Sequence, residues 1–237
     1  MAKKRQAGWE TMSARSLGQS WGIDEARRFL ESAYADRDPL YPLWVLILVL
    51  GLRKGEAQGL VWSSVDLDNA EVSLEWQIQR VGRQLIHKQH LKTDGSTDVL
   101  PLPDICLAAL RLQRQAQERM RSRLEHAGGT WPADGLVFTT RTGRPIEPRA
   151  VGRRFDLRCA KAGVRRIRVH DTRRTCGSLL AAFDVRPRVA MRILRHSKIA
   201  ITMELYTMVP DEATLAALKR LGDALGSADA VLPDDAK

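Results

Sequence analysis

The sequence of 237 residues has few of the features that build metal centres, disulfide frameworks or membrane spans. Its three cysteines, Cys106, Cys159 and Cys176, are an odd number and have no CxxC spacing. This argues against a structural zinc site and against a disulfide framework, and it favours a reducing cytoplasm. The longest apolar run, residues 43–52, is too short to cross a bilayer, and the polar N-terminus has no signal-peptide pattern. We therefore expect no membrane association.

Signals for cofactors and for base stacking are also missing. Neither a GxxxxGK[ST] loop nor a GxGxxG loop occurs, so we expect no nucleotide cofactor. His87, His90 and His126 have no cysteine or carboxylate partner at a metal-ligand spacing, so we expect no metal. Aromatic residues make up only 5% of the chain and form no visible platform for RNA bases, which makes an RNA-directed binder the weakest alternative.

What the sequence has in excess is positive charge, concentrated in one third of the chain. The net charge is +10, yet residues 141–198 alone contain 17 Lys and Arg against four Asp and Glu. Apolar residues recur through this segment at helical spacing, which favours a folded basic surface over a loose tail. A surface rich in arginine suits a phosphate-rich partner, DNA or RNA. The candidate DNA-contacting residues are Arg141, Arg144, Arg149, Arg153, Arg174 and Lys198.

Hydrophobic periodicity predicts an α+β fold that is mainly helical, with a small antiparallel β-sheet on one edge. The expected helices begin near residues 24, 42, 53 and 103 and continue beyond Pro148, with breaks near Gly163, Asp184, Arg195 and Val209. Strands are expected between residues 65 and 102 and at Leu136–Phe138. We expect residues 1–22 to be a flexible lead-in, residues 23–209 one domain, and residues 210–237 a C-terminal helix with an acidic tail.

The candidate catalytic residues occur as short motifs in a fixed order. These motifs are Gly-Leu-Arg53-Lys-Gly-Glu56, Lys92-Thr93 in a predicted hairpin, His170-Asp-Thr-Arg173, Leu-Arg-His196-Ser and Tyr206. Singly, each has an ordinary explanation: His170 and Arg173 share a helix face as an exposed polar pair does, and Tyr206 completes an apolar stripe. Together, over residues 20–210, the ordered set resembles the catalytic domain of the tyrosine recombinases, the phage integrase family.

The resemblance implies cleavage and rejoining of DNA strands without metal or nucleotide. Tyr206 matches the nucleophile that forms a 3′-phosphotyrosyl bond and releases a 5′-hydroxyl. Arg53 and Arg173 match the two arginines that hold the non-bridging oxygens of the scissile phosphate, and His196 matches a further donor to them.

Three more positions complete the implied catalytic set. Lys92 matches the hairpin lysine that protonates the departing 5′-oxygen, His170 matches the residue placed for acid–base work on the tyrosine, and Glu56 matches the acidic residue that supports the site. General chemical principles support the same mechanism independently of the family resemblance. A phenol with a pKa of about 10 needs a base or a positive field to attack at neutral pH. Two guanidinium groups can stabilise the transition-state charge without a metal.

The sequence also departs from the family pattern. Arg174 stands where a second histidine is common, and Arg195 where a glycine is common; neither position is catalytic, so we expect local effects only. Only 22 residues precede the first predicted helix, so we expect the core-binding domain of the family to be absent.

The resemblance implies a site-specific recombinase that integrates or excises a phage or other mobile element. It implies double-stranded attachment sites, a homotetramer on DNA, possible accessory DNA-bending or directionality proteins, and a bacterial cytoplasm. Two alternatives stay open: a catalytically weak or inactive DNA-binding fragment, such as a helical regulator, and a residual topoisomerase IB-like nicking–closing activity. A denaturant-resistant protein–DNA adduct separates the enzymes from the binder.

Overall fold

The computed structural model describes residues 20–89, 99–196, 199–203, 206 and 219–220, and the structural statements below concern these residues. The helices are α1 (Ile23–Ala35), α2 (Tyr41–Val49), α3 (Lys54–Gly59), α4 (Asp104–His126), α5 (Pro148–Lys161), α6 (Asp171–Ala182), α7 (Pro187–Leu194) and α8 (Ile199–Met203). The strands are β1 (Val65–Asp66), β2 (Glu71–Ser73), β3 (Trp76–Val81), β4 (Gln84–Gln89) and β5 (Val99–Pro101). The prediction of a mainly helical fold with small antiparallel strands is confirmed.

Helix α2 is the centre of the hydrophobic core. Residues 42–48 are all buried, so this helix is apolar on every side rather than along one stripe. The turn that follows this helix contains Gly51, which has a φ of +58°. A Cβ atom there would lie 2.7 Å from Leu194 Cδ2, so the absence of a side chain lets the end of α7 pack onto this turn.

Four aromatic rings from distant parts of the chain join α1 and α5 to this core. Trp21, Phe29, Trp44 and Phe155 have ring centroids 4.9–6.0 Å apart. The Trp21 indole donates to the Arg165 carbonyl at 2.7 Å, and its backbone amide donates to Thr175 Oγ1 at 3.0 Å. The expected flexible lead-in of residues 1–22 is therefore wrong at its end, because Trp21 is part of the core.

The strands form two small antiparallel sheets. One has the order β1-β2-β5, and the other is the β3–β4 hairpin. The hairpin packs closely on α3: a Cβ atom on Gly59 would lie 2.5 Å from the Cα atom of Gln77 in β3. The strand expected at Leu136–Phe138 is not present as a strand; Leu136 makes an isolated bridge to Val61.

The breaks predicted within the C-terminal helical region are confirmed as far as the structure describes it. Asp184 and Arg195 have φ values of 54° and 51°, and each follows the end of a helix. The expected break near Val209 and most of the expected C-terminal helix lie outside the described residues; residues 219 and 220 are helical. None of the helices in the described ranges is long and apolar enough to cross a membrane.

Candidate active site

The site begins at the N-terminus of α3, where Glu56 organises Arg53. Glu56 Oε2 accepts a hydrogen bond from the Arg53 backbone amide at 2.8 Å, and Oε1 accepts one from Arg53 Nη1 at 2.5 Å. The Glu56 side chain is 7% exposed and that of Arg53 is 48% exposed. Burial raises the pKa of Glu56, but the charge of Arg195 and the hydrogen bonds from Arg53 outweigh it and lower the pKa overall. A buried, ionised carboxylate therefore holds an arginine that still faces solvent.

Arg173 lies behind this pair, in the first turn of α6. Its Nη1 donates to the Gly51 carbonyl at 2.7 Å, whereas its buried Nη2 has no hydrogen-bond partner among the described residues. Burial, together with the charges of Arg53 and Arg195, lowers the pKa of Arg173 to about 10. The guanidinium is still protonated at neutral pH. Arg173 is thus a buried cation with one unused donor.

Arg195 supplies a third guanidinium that sequence analysis missed. Its backbone follows α7 in the left-handed region (φ 51°, ψ 47°), and its side chain is only 4% exposed. Nη2 donates to Glu56 Oε2 at 2.6 Å, and Nη1 donates to the Ile193 carbonyl at 2.9 Å. The expectation of local effects only is wrong for Arg195, because it pairs with a carboxylate 139 residues away in sequence. The one signal was the unusual arginine directly before His196.

His196 is held by a second residue that no sequence motif indicated. Its Nδ1 lies 2.9 Å from Oγ1 of Thr202, a fully buried residue in α8. Burial lowers the pKa of His196 to about 4, and the charges of Arg173 and Arg53 contribute in the same direction. The ring is therefore neutral at pH 7. When the Thr202 hydroxyl donates to Nδ1, the proton of the ring is on Nε2, which is then free to donate.

His170 caps α6 beside an open cleft. Partial removal of the His170 ring from water lowers its pKa; the charge of Asp171 opposes this shift, and the charges of Arg173, Arg168 and Arg53 add to it. The adjacent Asp171 is engaged elsewhere, since Arg168 Nε and Nη2 donate to its two oxygens at 2.9 Å each. The His170 ring is thus neutral at pH 7 and able to accept a proton.

The cleft has a volume of about 540 Å³ and lies between α3, β3 and α5. Its basic lining residues are Arg53, Lys54, Arg166, Arg168 and His170, and its acidic one is Asp156. Sequence analysis missed Arg166 and Arg168 as candidate contacts, although both lie in the basic third of the chain.

The predicted DNA-contacting residues lie elsewhere. Arg141, Arg144, Arg149 and Arg153 are exposed but do not line the cleft, and Arg174 is half-buried on α6. Lys198 lies outside the described residues, and so does the predicted hairpin lysine, Lys92.

Tyr206 is not hydrogen-bonded to this cluster of arginines and histidines. Its hydroxyl donates to the Val185 carbonyl at 2.5 Å, in the connection between α6 and α7, and its amide donates to the Met203 carbonyl at 2.9 Å. Burial raises the pKa of the phenol. Tyr206 therefore keeps its proton in this arrangement, and its hydroxyl is engaged by Val185.

Possible metal ligands and thiols are the other reactive groups of the described residues. Over the part of the chain that the structure describes, no group of three or more His, Cys, Asp or Glu could hold a metal ion. Cys106, Cys159 and Cys176 are buried, and burial raises the pKa of the first to about 12 and of the other two to about 11. These thiols stay protonated at neutral pH.

Solved structures share this fold. The Tn1549 transposon integrase in complex with circular intermediate DNA has a TM-score of 0.72 at 21% identity, over 86% of this chain and 67% of that one. The XerA recombinase has a TM-score of 0.60 at 20% identity, over 85% of this chain and 64% of that one.

Sequence relatives point the same way. A XerC-like tyrosine recombinase from Caldanaerobacter subterraneus subsp. tengcongensis is 26% identical over 216 residues, which are 86% of this chain and 54% of the relative. An integrase from Staphylococcus phage L54a is 24% identical over 165 residues, 68% of this chain and 46% of that protein. The chain spans about half the length of these relatives. The model of the phage integrase family matches residues 24–213, and the chain therefore belongs to that family.

Proposed function

We propose that this protein is the catalytic domain of a site-specific tyrosine recombinase, which cuts and rejoins double-stranded DNA through a 3′-phosphotyrosyl bond on Tyr206. The observation that carries the proposal is the unused donor of Arg173. A buried charged N–H without an acceptor is costly, so it indicates a ligand that supplies the acceptor. Because this atom is shielded from water here, DNA binding has to open the site.

The charge balance around Arg173 specifies the kind of ligand. The cluster contains three guanidinium groups and one carboxylate: Arg53 and Arg195 are bonded to Glu56, and Arg173 interacts with all three through its charge. The cluster therefore has two positive charges in excess. A phosphodiester brings one negative charge, and its transition state concentrates further negative charge on the equatorial oxygens. The cluster is better matched to the transition state than to the substrate, as catalysis requires.

In the proposed reaction the Tyr206 oxygen forms a bond to phosphorus while the bond from phosphorus to the 5′-oxygen breaks. Arg53 and Arg173 donate to the non-bridging oxygens, and neutral His196 donates to them through Nε2. The phenolic proton passes to His170, whose lowered pKa leaves it unprotonated at pH 7. Lys92, by the family resemblance, gives a proton to the 5′-oxygen. Attack by a 5′-hydroxyl on the phosphotyrosine reverses these steps and rejoins a strand.

The partners are proposed on the same basis. Double-stranded DNA is supported by the basic cleft and by the structurally similar transposon integrase that was solved with circular intermediate DNA. A homotetramer on attachment sites, accessory DNA-bending or directionality proteins, and action in a bacterial cytoplasm follow from the family resemblance. Integration or excision of a phage or other mobile element is the corresponding biological role.

The experiment is covalent trapping on a pool of nicked duplexes with randomised sequence around the nick. Cleavage near the nick releases a short strand, which diffuses away and leaves the protein attached after denaturation. We expect an adduct with the wild-type protein and none with Tyr206→Phe, whose DNA affinity should be nearly unchanged. Tyr34→Phe is the matched control, because Tyr34 is 60% exposed and should be dispensable.

Each alternative function has its own result in this experiment. Salt-sensitive DNA binding without any adduct would favour the inactive DNA-binding fragment. An adduct accompanied only by relaxation of supercoiled plasmid, with no joining of separate duplexes, would favour the nicking–closing activity. An adduct that persists in Tyr206→Phe would overturn the assignment of the nucleophile.

A further inference from the structure

We propose that Arg195 is a positioning residue for DNA cleavage, which ties the turn carrying His196 to the Glu56–Arg53 pair. This inference rests on the proposed function and adds to it a residue that occupies no catalytic position of the family pattern. Arg195 would hold the end of α7, which carries His196, in a fixed position relative to α3, which carries Glu56.

The backbone of Arg195 shows that its side chain has a role beyond the turn. A left-handed conformation is unfavourable for a residue with a Cβ atom, and glycine is the residue best suited to it. The amides of Arg195 and His196 close the turn on the Arg192 and Met191 carbonyls, at 3.2 and 3.1 Å, and any residue can make those bonds. The turn itself therefore does not need an arginine.

The side chain makes the contact that a glycine lacks. Arg195 Nη2 and the Arg53 amide donate to the same atom, Glu56 Oε2, at 2.6 and 2.8 Å. The other oxygen of Glu56 accepts from Arg53 Nη1. Both arginines are thus anchored on one buried carboxylate, and a shift of the α7 end moves the group that orients Arg53.

Burial makes this link rigid and specific. Arg195 and Glu56 have side chains only 4% and 7% exposed, so water cannot replace either partner. A lone Glu56–Arg53 pair would be open to solvent on the Arg53 side, since that side chain is 48% exposed. Arg195 therefore fixes Glu56 from inside the protein, while Arg53 remains free to contact DNA.

Arg195→Gly separates this proposal from a local role. Glycine is at least as good as arginine for the turn, so a merely local role predicts unchanged or improved cleavage. A positioning role predicts a loss of about 10-fold to 100-fold in the single-turnover cleavage rate at saturating DNA, with DNA affinity within about threefold of wild type. Arg195→Lys, which keeps the charge, should recover part of the rate.

A buried arginine outside the site provides the matched control. Arg158 is 6% exposed and is paired with Asp36 and Asp38, so Arg158→Met removes an equally buried cation without touching Glu56. We expect Arg158→Met to lower stability but to cleave at the wild-type rate per folded molecule. In the double variant with Glu56→Gln, Arg195→Gly should add little, because both act through the same carboxylate.

An NMR measurement tests the link independently of cleavage. Arg195→Gly should shift the Arg53 amide resonance, which Arg158→Met should leave in place. If the wild-type protein cleaves DNA and Arg195→Gly cleaves as fast as Arg158→Met, the inference is overturned and the proposed function stands. If the wild-type protein forms no adduct on any duplex, the proposed function fails and the catalytic part of this inference fails with it. An Arg53 amide unmoved by Arg195→Gly would overturn the positioning part in either case.

Discussion

Two ion networks built around buried arginines in this protein have different charge balances. In the first, which we call the Arg158 network, one guanidinium is bonded to Asp36 Oδ2 at 2.6 Å and to Asp38 Oδ2 at 2.9 Å. In the second, the Arg173 cluster, Arg53 and Arg195 are bonded to Glu56, and Arg173 lies within the influence of all three charges. Lys161 Nζ also lies 3.6 Å from Asp36 Oδ2, so the Arg158 network has two cations for two anions, whereas the Arg173 cluster has more cations than anions.

The pKa shifts in the two networks show what the difference means. In the Arg158 network, the hydrogen bond from Arg158 lowers the pKa of Asp36, so the charged form of the acid is favoured. In the Arg173 cluster, burial and neighbouring cations lower the pKa of Arg173, so the charged form of the base is disfavoured. The first network balances its charges within the protein, whereas the second has an excess of positive charge that the proposed phosphate would offset.

The largest effect should come from removing the unsatisfied cation. Arg173→Ala should raise the barrier of the cleavage step by about 3 kcal/mol or more, the scale of losing one preorganised donor to the transition state. Arg173→Lys should also be slow, because an ammonium cannot reproduce the planar pair of donors. The single-turnover cleavage rate on the pool of nicked duplexes measures the effect of both substitutions. A lysine variant with a near-normal rate would reduce Arg173 to a simple phosphate anchor.

Removing the satisfied cation should affect stability instead. Arg158→Met leaves Asp38, whose side chain is 10% exposed, without its charge partner, so we expect a loss of about 3 kcal/mol in the free energy of unfolding. Urea unfolding measures the loss. If Arg158→Met slows cleavage per folded molecule as strongly as Arg173→Ala does, the two networks do not have the different roles assigned to them.

DNA binding should be weak and should fall steeply with salt, because phosphate contacts release counterions. Lys54→Ala and Arg166→Ala, both in the cleft, should each reduce the slope of log affinity against log salt by about 1. Arg141→Ala tests the surface that the sequence indicated outside the cleft. Fluorescence anisotropy from low to moderate salt gives the slopes, and tight binding without salt dependence would contradict the account.

The smallest effect concerns the pH dependence of stability. The pKa of His196 is about 4 in the folded protein against an ordinary 6.5, so below pH 6.5 the unfolded chain takes up a proton that the folded protein refuses. The free energy of unfolding should therefore fall as the pH falls from 6.5 towards 4. His196→Gln should lose this part of the pH dependence between pH 6.5 and 5. Parallel curves for the two proteins in urea unfolding would contradict a neutral His196.

The sequence predicted the elements with strong local patterns. Helix α2 was recognisable because its apolar run ends at a glycine, and the motif order identified Arg53, Arg173 and His196 before their positions were known. Arg158 carries no comparable signal: nothing near it in the sequence indicates that Asp36 and Asp38 are its partners. Such pairs depend on tertiary contacts across 120 residues or more.

Other features were missed for similar physical reasons. Trp21 stands outside any apolar run in the sequence, and its packing against Phe29 and the distant Phe155 makes it part of the core. Thr202 has an ordinary helical setting in the sequence, and its hydrogen bond to His196 depends on how α8 packs after the turn. The sequence shows Arg195 as a departure from the family pattern. Its pairing with Glu56 could not be predicted, because it depends on the tertiary packing that brings the two side chains together.

The central claim is that the Arg173 cluster serves a phosphate attacked by Tyr206, and the most direct test is to locate the DNA-linked residue. The trapped adduct is digested with nuclease and then with trypsin, and the peptide carrying the remaining nucleotide is sequenced by mass spectrometry. Trypsin should release residues 199–219, a peptide in which Tyr206 is the only tyrosine. We predict the nucleotide on Tyr206. A nucleotide on Tyr34, on Tyr41 or on any residue outside that peptide would contradict the account.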